Sequence, residues 1–137
     1  MHKKFLVAGI AATVFIFVFE FLVHGVALMG MYDATASLWR PLEEMEAMWW
    51  FSLLIQAAIG FAMACYMSKR GIAGRKAGFE FGSMIGVLFA IMALSQYGYL
   101  PLAMTLPIIW AVASWVKMAA VGAIIGHFYR EDSGATA

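Results

Sequence analysis

The sequence has few charged residues, one cysteine and three prolines among its 137 residues. Charged residues make up 12% of the chain, whereas a soluble domain usually carries about 25%. Cys65 stands alone, which excludes an internal disulfide, a CxxC redox pair and a cysteine zinc site. The net charge of +1 implies no polyanionic partner, so binding to nucleic acid is not expected.

Hydrophobic residues make up 64% of the chain and form four long runs. Folded in water, a chain this short could not bury so much apolar surface in one core. A membrane-spanning helix needs about 20 mostly apolar residues, and we predict spans at about 5–31, 45–67, 78–97 and 103–128. The predicted fold is all-α, an integral membrane four-helix bundle that forms a single domain over residues 1–137.

The first apolar run has a competing interpretation as a cleaved signal peptide. Lysines precede it, and Ala34-Thr35-Ala36 resembles a cleavage site. However, the run is about twice as long as the apolar core of a usual signal peptide, and it contains Glu20. We therefore expect the run to remain as a spanning helix.

Basic residues predict the orientation, because cytoplasmic loops are enriched in lysine and arginine. Here they precede the first span, fill the loop between the second and third spans, and follow the fourth span. We therefore expect both termini and this loop to lie in the cytoplasm. The residues concerned are Lys3, Lys4, Lys69, Arg70, Arg75, Lys76 and Arg130.

The outer loop, residues 32–44, is expected to contain a short interfacial helix that begins near Pro41. Proline suits the first turn of a helix, and the glutamates that follow suit its positive end. Residues 131–137 are expected to be a frayed tail. Aromatic residues near both outer loops predict a belt at the membrane–water interface, formed by Trp39, Trp49, Trp50, Tyr97, Tyr99 and Trp110.

Small residues recur every four positions in the third and fourth spans. This pattern predicts close helix packing, because lipid provides no hydrophobic drive between helices. Both stripes lie in the cytoplasmic halves, so we expect a bundle that is tight there and looser outside. The pattern leaves open whether the stripes face the bundle or another protomer. They consist of Gly82, Gly86 and Ala90 in one span and Gly122 and Gly126 in the other.

Glu20 and Lys117 lie near the middle of spans one and four. A charge at that depth costs about 2.5–3.5 kcal/mol and usually pairs with another or lines a functional cavity. At about 1.5 Å per residue, Glu20 lies roughly 22 Å and Lys117 roughly 16 Å from the cytoplasmic end. Side chains lean toward the N-terminus of their own helix. Because the two helices run in opposite directions, these side chains lean toward each other.

Three interpretations of this midplane cluster stay open. In the first, Glu20 and Lys117 form a structural ion pair whose remaining hydrogen bonds are satisfied by Gln56 and Ser114. In the second, the cluster is a site for protons or a small solute, open toward the looser outer half. In the third, another subunit completes the site.

His24 lies one helical turn beyond the midplane glutamate, on the same face. As a haem ligand it would need a partner at similar depth. His2 and His127 do not lie at that depth, and Met29 or Met104 would be an unspecific choice. We expect an ordinary hydrogen-bonded histidine and predict no cofactor or metal site.

The first outer loop and its approach contain His24-Gly25, Tyr32, Thr35, Leu38-Trp39-Arg40-Pro41 and Glu44-Met45. This pattern resembles an uncharacterised family of small four-span bacterial inner-membrane proteins. The resemblance covers the first half of the chain, and the second half shares only hydropathy with the family. It implies a multi-pass protein of the bacterial inner membrane and implies no activity.

An enzyme is not expected, because the sequence offers no nucleophile–base pair, phosphate loop or metal cluster. The leading expectation is a small non-catalytic subunit that assembles with itself or with a larger membrane complex. Small size, the glycine stripes and the lack of an extramembrane domain favour it. The alternative is a small carrier or channel that uses the midplane cluster for protons or a small solute. The expected partners are the lipid bilayer and further membrane subunits.

Overall fold

The computed structural model describes residues 2–129, with side chains from residue 3 onward, and the regular elements of that range are all helical. Arg130 and the predicted tail 131–137 lie outside the described residues. The α-helices are α1 (His2–Leu22), α2 (Met29–Asp33), α3 (Leu42–Ala47), α4 (Trp49–Arg70), α5 (Arg75–Ser95) and α6 (Thr105–Phe128).

Four helical segments are long and apolar enough to cross a membrane: Lys3–Ala27, Trp49–Arg70, Arg75–Gly98 and Thr105–Phe128. Each also exposes large apolar side chains on its outer face, where a soluble protein would present polar groups. Ile10, Leu54, Ile91 and Val112 are examples, each more than half exposed. Length, composition and surface therefore agree with a multi-pass membrane protein.

The range 5–31 suggested one continuous α-helix for the first span, but the structure interrupts it. A π-helical turn, Val23–Ala27, follows α1, and the amide of Leu28 donates to the carbonyl of Val23 at 2.9 Å. Leu28 then leaves helical geometry, with φ −98° and ψ 1°. The chain restarts as the short α2 and continues through a 3-10 turn, Ala36–Leu38.

The expected helix near Pro41 is α3, which begins at Leu42 with Glu43 and Glu44 in its first turn. Pro41 itself is extended, with ψ 143°, and it lies just ahead of the helix. The carboxylates lie at the positive end of the helix dipole, where they are favoured.

The loop between α4 and α5 is short and turns at Gly71. Gly71 is left-handed (φ 66°), and the amide of Ile72 donates to the carbonyl of Met67 at 3.0 Å. This is a Schellman cap, which requires a positive φ that glycine adopts without a steric cost. Lys69, Arg70 and Arg75 surround the loop, and we call this end of the bundle the basic end. The other end, with α2 and α3, is the far end.

Helices α5 and α6 pack with their backbones in contact. Gly78, Gly82 and Gly86 are buried along α5. A Cβ on Gly82 would overlap the carbonyl oxygen of Met118 on α6, and a Cβ on Gly86 would lie 2.9 Å from the carbonyl oxygen of Trp115. The stripes thus face each other within the chain, and Gly122 and Gly126 of α6 lie against Gly78 of α5.

Helices α1 and α4 form the second close pair. Phe61 of α4 covers Gly9, and Thr13 lies against Gly60. The main core lies beside this contact, in the half of the bundle near the basic end, and includes Ala12, Ile16, Met63, Ala64, Met67, Met118, Val121 and Ile125. Helix α6 contacts α1, α4 and α5, and is therefore the central helix of the fold.

The half near the far end holds a smaller buried cluster of Leu28, Leu102 and Leu106. Tyr32, Trp39 and Trp110 are among the partly buried side chains that pack against it. The bundle is thus tight near the basic end and looser near the far end, as the glycine pattern predicted.

Candidate functional site

Glu20 of α1 and Lys117 of α6 are in direct contact in the middle of the bundle, where the lysine ammonium donates to Oε1 of the carboxylate. The Lys117 side chain is 11% exposed and that of Glu20 25%. The opposite directions of the two helices make this contact possible, because each side chain leans toward the other.

His24 extends the ion pair toward the far end. Its Nε2 lies 3.3 Å from Oε2 of Glu20, so the glutamate has a partner on each oxygen. The two residues are four apart, as on a continuous α-helix. His24 is the second residue of the π turn, and the wider i→i−5 hydrogen bond that marks the turn is made further along, at Leu28.

Tyr32 of α2 connects His24 to α6. The Tyr32 hydroxyl lies 2.5 Å from Nδ1 of His24, and Nε1 of Trp110 donates to the same hydroxyl at 2.8 Å. The indole can only donate. Each polar hydrogen finds an acceptor when the Tyr32 hydroxyl accepts from Trp110 and donates to His24. Nδ1 is then the acceptor, and the imidazole proton lies on Nε2, facing Glu20.

Burial is the main cause that raises the pKa of Tyr32 above its ordinary value of 10.0. The hydrogen bond from Trp110 acts in the opposite direction, and the charge of Glu20 adds to the rise. Tyr32 therefore stays a neutral phenol at physiological pH. Its hydroxyl keeps the hydrogen with which it donates a hydrogen bond to His24.

Aromatic rings surround this hydrogen-bonded chain. The rings of Tyr32 and Trp39 meet edge to face at 5.6 Å, and those of Trp39 and Trp110 at 6.2 Å. Trp39 also donates to the hydroxyl of Thr35 at 2.9 Å. Trp39 and Trp110, two residues of the predicted interfacial belt, are thus partly buried in this aromatic cluster. The other predicted belt residues are exposed: Trp49, Trp50, Tyr97 and Tyr99.

A cavity of about 340 Å³ opens beside the ion pair, between α1, α4 and α6. Its volume lies near the lower end of the range for small-molecule sites, about 300–1,000 Å³. Ile16, Ile55 and Ile59 form apolar walls. The cavity is further lined by Glu20, Phe51, Ser52, Gln56 and Lys117.

Gln56 brings a buried acceptor without a partner to this cavity. Its Oε1 is buried and has no hydrogen-bond partner within the described part of the chain. One interpretation expected Gln56 to satisfy the remaining hydrogen bonds of the ion pair. The oxygen of Gln56 does not do so. Ser114, the other residue expected to do so, is not part of the cavity lining. The buried oxygen instead leaves an acceptor available to a ligand.

A haem or metal at His24 would have to displace existing hydrogen bonds, because Tyr32 and Glu20 engage the two ring nitrogens. Among residues 2–129, no three His, Cys, Asp or Glu side chains are placed to hold a metal ion. Met29 and Met104 are about half exposed.

The roles of Tyr32 and Trp110 were not predicted. They lie 78 residues apart, and sequence spacing cannot show that an outer loop folds back onto the last helix. In the structure Tyr32, Thr35 and Trp39 lie with His24 in one cluster.

Comparison with known proteins adds no relative: no protein family, curated protein or solved structure matches the chain.

Proposed function

We propose that the protein is a small multi-pass carrier whose solute site is the cavity beside the Glu20–Lys117 pair. One observation carries the proposal: the cavity holds a buried, unpartnered amide oxygen, Oε1 of Gln56, beside a nearly buried ammonium group. Buried polar groups are normally hydrogen-bonded, and ligand sites combine mostly apolar walls with a few polar groups of this kind.

The shape of the bundle supports transport rather than binding alone. Below the cavity, toward the basic end, Phe61 over Gly9 and the main core close the path. Beside the cavity, Phe51 and Ile55 are each 45% exposed. These two side chains lie on the face of α4 that would meet lipid, so the cavity opens sideways and is closed toward the basic end. Access from one side at a time is what alternating access requires of each state.

The leading expectation from the sequence, an assembling subunit, rested partly on the glycine stripes. Those stripes are used within the chain, by the contact between α5 and α6. They therefore offer no surface for another subunit, and we favour the carrier over the subunit.

The membrane setting is part of the same proposal. We propose that both termini lie in the cytoplasm of a bacterium and that the far end faces outward from the inner membrane. The basic residues at the loop near Gly71 support this orientation. A reporter fused after Arg130 should be active in the cytoplasm, and one inserted at Ser37 should be active outside. Activity of both reporters on one side would contradict the four-span orientation.

The carrier proposal is tested by filling the cavity. Ser52 lines it, whereas Ser95 lies at the end of α5, where its hydroxyl donates to the carbonyl of Met92 at 2.7 Å. Protein extracted from its native membrane in mild detergent should retain a small molecule, detected by native mass spectrometry. Ser52→Trp should remove that molecule and Ser95→Trp should not. A stoichiometric foreign subunit, with no small molecule in either variant, would support the assembling subunit instead.

A further inference from the structure

We infer that the cavity takes an uncharged amphiphile from the lipid phase, with a head that both accepts and donates a hydrogen bond; this rests on the proposed carrier function. The inference combines three properties of the site: its balance of charge, its free hydrogen-bonding groups and its open side.

The charge of the site is already balanced. Glu20 and Lys117 neutralise each other, and we assign His24 as a neutral imidazole, because each polar hydrogen from Trp110 through Tyr32 to His24 then has an acceptor. A charged ligand would add an uncompensated charge at the middle of the bundle, which is costly at membrane depth. The ligand that fits is therefore neutral.

The free groups define the head of the ligand. The Lys117 ammonium has three N–H donors, and the hydrogen bond it makes within the described residues is the one to Glu20. It can donate to an acceptor on the ligand. Oε1 of Gln56 needs a donor. A head with an adjacent acceptor and donor, such as a primary amide, satisfies both.

The walls and the open side define the rest of the ligand. Ile16, Ile55, Ile59 and Phe51 present hydrocarbon to the cavity. Phe51 and Ile55 are also exposed on the outer face of α4, the surface that would meet lipid tails. An apolar chain can therefore lie against these side chains while its head reaches Gln56.

The test uses three uncharged probes on the purified protein in lipid nanodiscs. Octanamide has the head and the chain, 2-nonanone has the chain and an acceptor only, and acetamide has the head alone. We expect one octanamide per protein by native mass spectrometry. Its affinity should exceed that of 2-nonanone about tenfold, the value of one buried hydrogen bond.

Two variants identify the group that is recognised. Gln56→Leu should lower the octanamide affinity about tenfold and leave that of 2-nonanone unchanged. Gln96→Leu is the matched control, because Gln96 is exposed beyond α5, and it should change neither. Gln56→Leu should also melt higher than the wild type without a ligand, because it removes a buried unpaired oxygen.

The outcomes separate this inference from the carrier proposal. If acetamide binds as tightly as octanamide, the site takes a polar solute, and the amphiphile inference fails while the carrier proposal stands. If octanamide binds equally to Gln56→Leu and the wild type, Gln56 does not recognise the head and the inference fails. If no probe binds and Ser52→Trp loses no native small molecule, both proposals fail.

Discussion

Breaking the Glu20–Lys117 pair is the perturbation with the largest effect that can be worked out from the geometry. Removing one partner of a buried ion pair costs about 3–5 kcal/mol, because the other charge is left uncompensated. After Lys117→Met, Glu20 is still a quarter exposed and keeps His24 as a partner. We therefore expect about 3 kcal/mol for Lys117→Met, near the lower end of that range.

Glu20→Gln alone should cost more than Lys117→Met. It leaves an ammonium whose side chain is 11% exposed and which then has no counter-charge, because its ion-pair partner among the described residues is Glu20. The double variant removes both charges and should unfold within about 1 kcal/mol of the wild type. The coupling between the two substitutions should thus reach about 5 kcal/mol, the sum of the two single costs less that of the double variant.

The assay is reversible unfolding in mixed micelles, followed by circular dichroism for the wild type, both single variants and the double variant. Arg40 and Glu44 provide the control pair, at 3.8 Å with side chains 67% and 58% exposed. Exposed pairs contribute little, so their cycle should show coupling near zero. Equal coupling in both cycles would refute the pairing argument.

A second measurement on the same double variant addresses function. If the pair is only structural, Glu20→Gln with Lys117→Met should fold and keep the ligand bound in the wild type. If Lys117 holds the ligand, as we propose, the double variant should fold and lose it. Folding and ligand retention are therefore read separately from one protein.

Further outcomes follow from the packing and from the aromatic cluster. Gly82→Ala should destabilise the bundle by about 1–3 kcal/mol, because the new Cβ overlaps the backbone of α6. Gly98→Ala is the control and should be neutral, because nothing lies within 4 Å of the added Cβ. Equal thermal stability of the two variants would show that the α5–α6 contact is not close. Tyr32→Phe should cost about 1–3 kcal/mol in unfolding experiments, because Trp110 and His24 both lose a partner. The raised pKa of Tyr32 adds a pH dependence: above about pH 10 the unfolded state releases this proton first, so stability should fall there, and Tyr32→Phe should weaken that fall.

The sequence alone predicted the features that depend on local composition and on the position of a residue along its spanning helix. Four apolar runs predicted four long helices, and the opposite directions of α1 and α6 predicted that Glu20 and Lys117 approach each other. The glycine spacing of Gly82 and Gly122 indicated a close contact, although it did not show that the two stripes face each other.

The remaining features depend on contacts between distant parts of the chain. The interfacial interpretation of Trp39 and Trp110 treated each ring as an isolated amphipathic group. In the structure the Tyr32 hydroxyl accepts a hydrogen bond from Trp110, the Thr35 hydroxyl accepts one from Trp39, and the three aromatic rings pack together. Likewise, no sequence pattern shows that Gln56 is left without a partner, because that depends on where α1 and α6 lie relative to α4.

The π turn at Val23–Ala27 acts as a one-residue insertion in the first span. Each residue of an α-helix turns the chain by about 100°, so deleting one residue of this turn would restore α-helical hydrogen bonding and rotate all that follows by that angle. Glu20 and His24 would keep their places before or at the start of the turn. Tyr32 would swing away from His24 and from Trp110. The number of residues in this turn thus sets the orientation of the outer loop over the last helix. Insertions or deletions at this point should therefore be far less tolerated than substitutions.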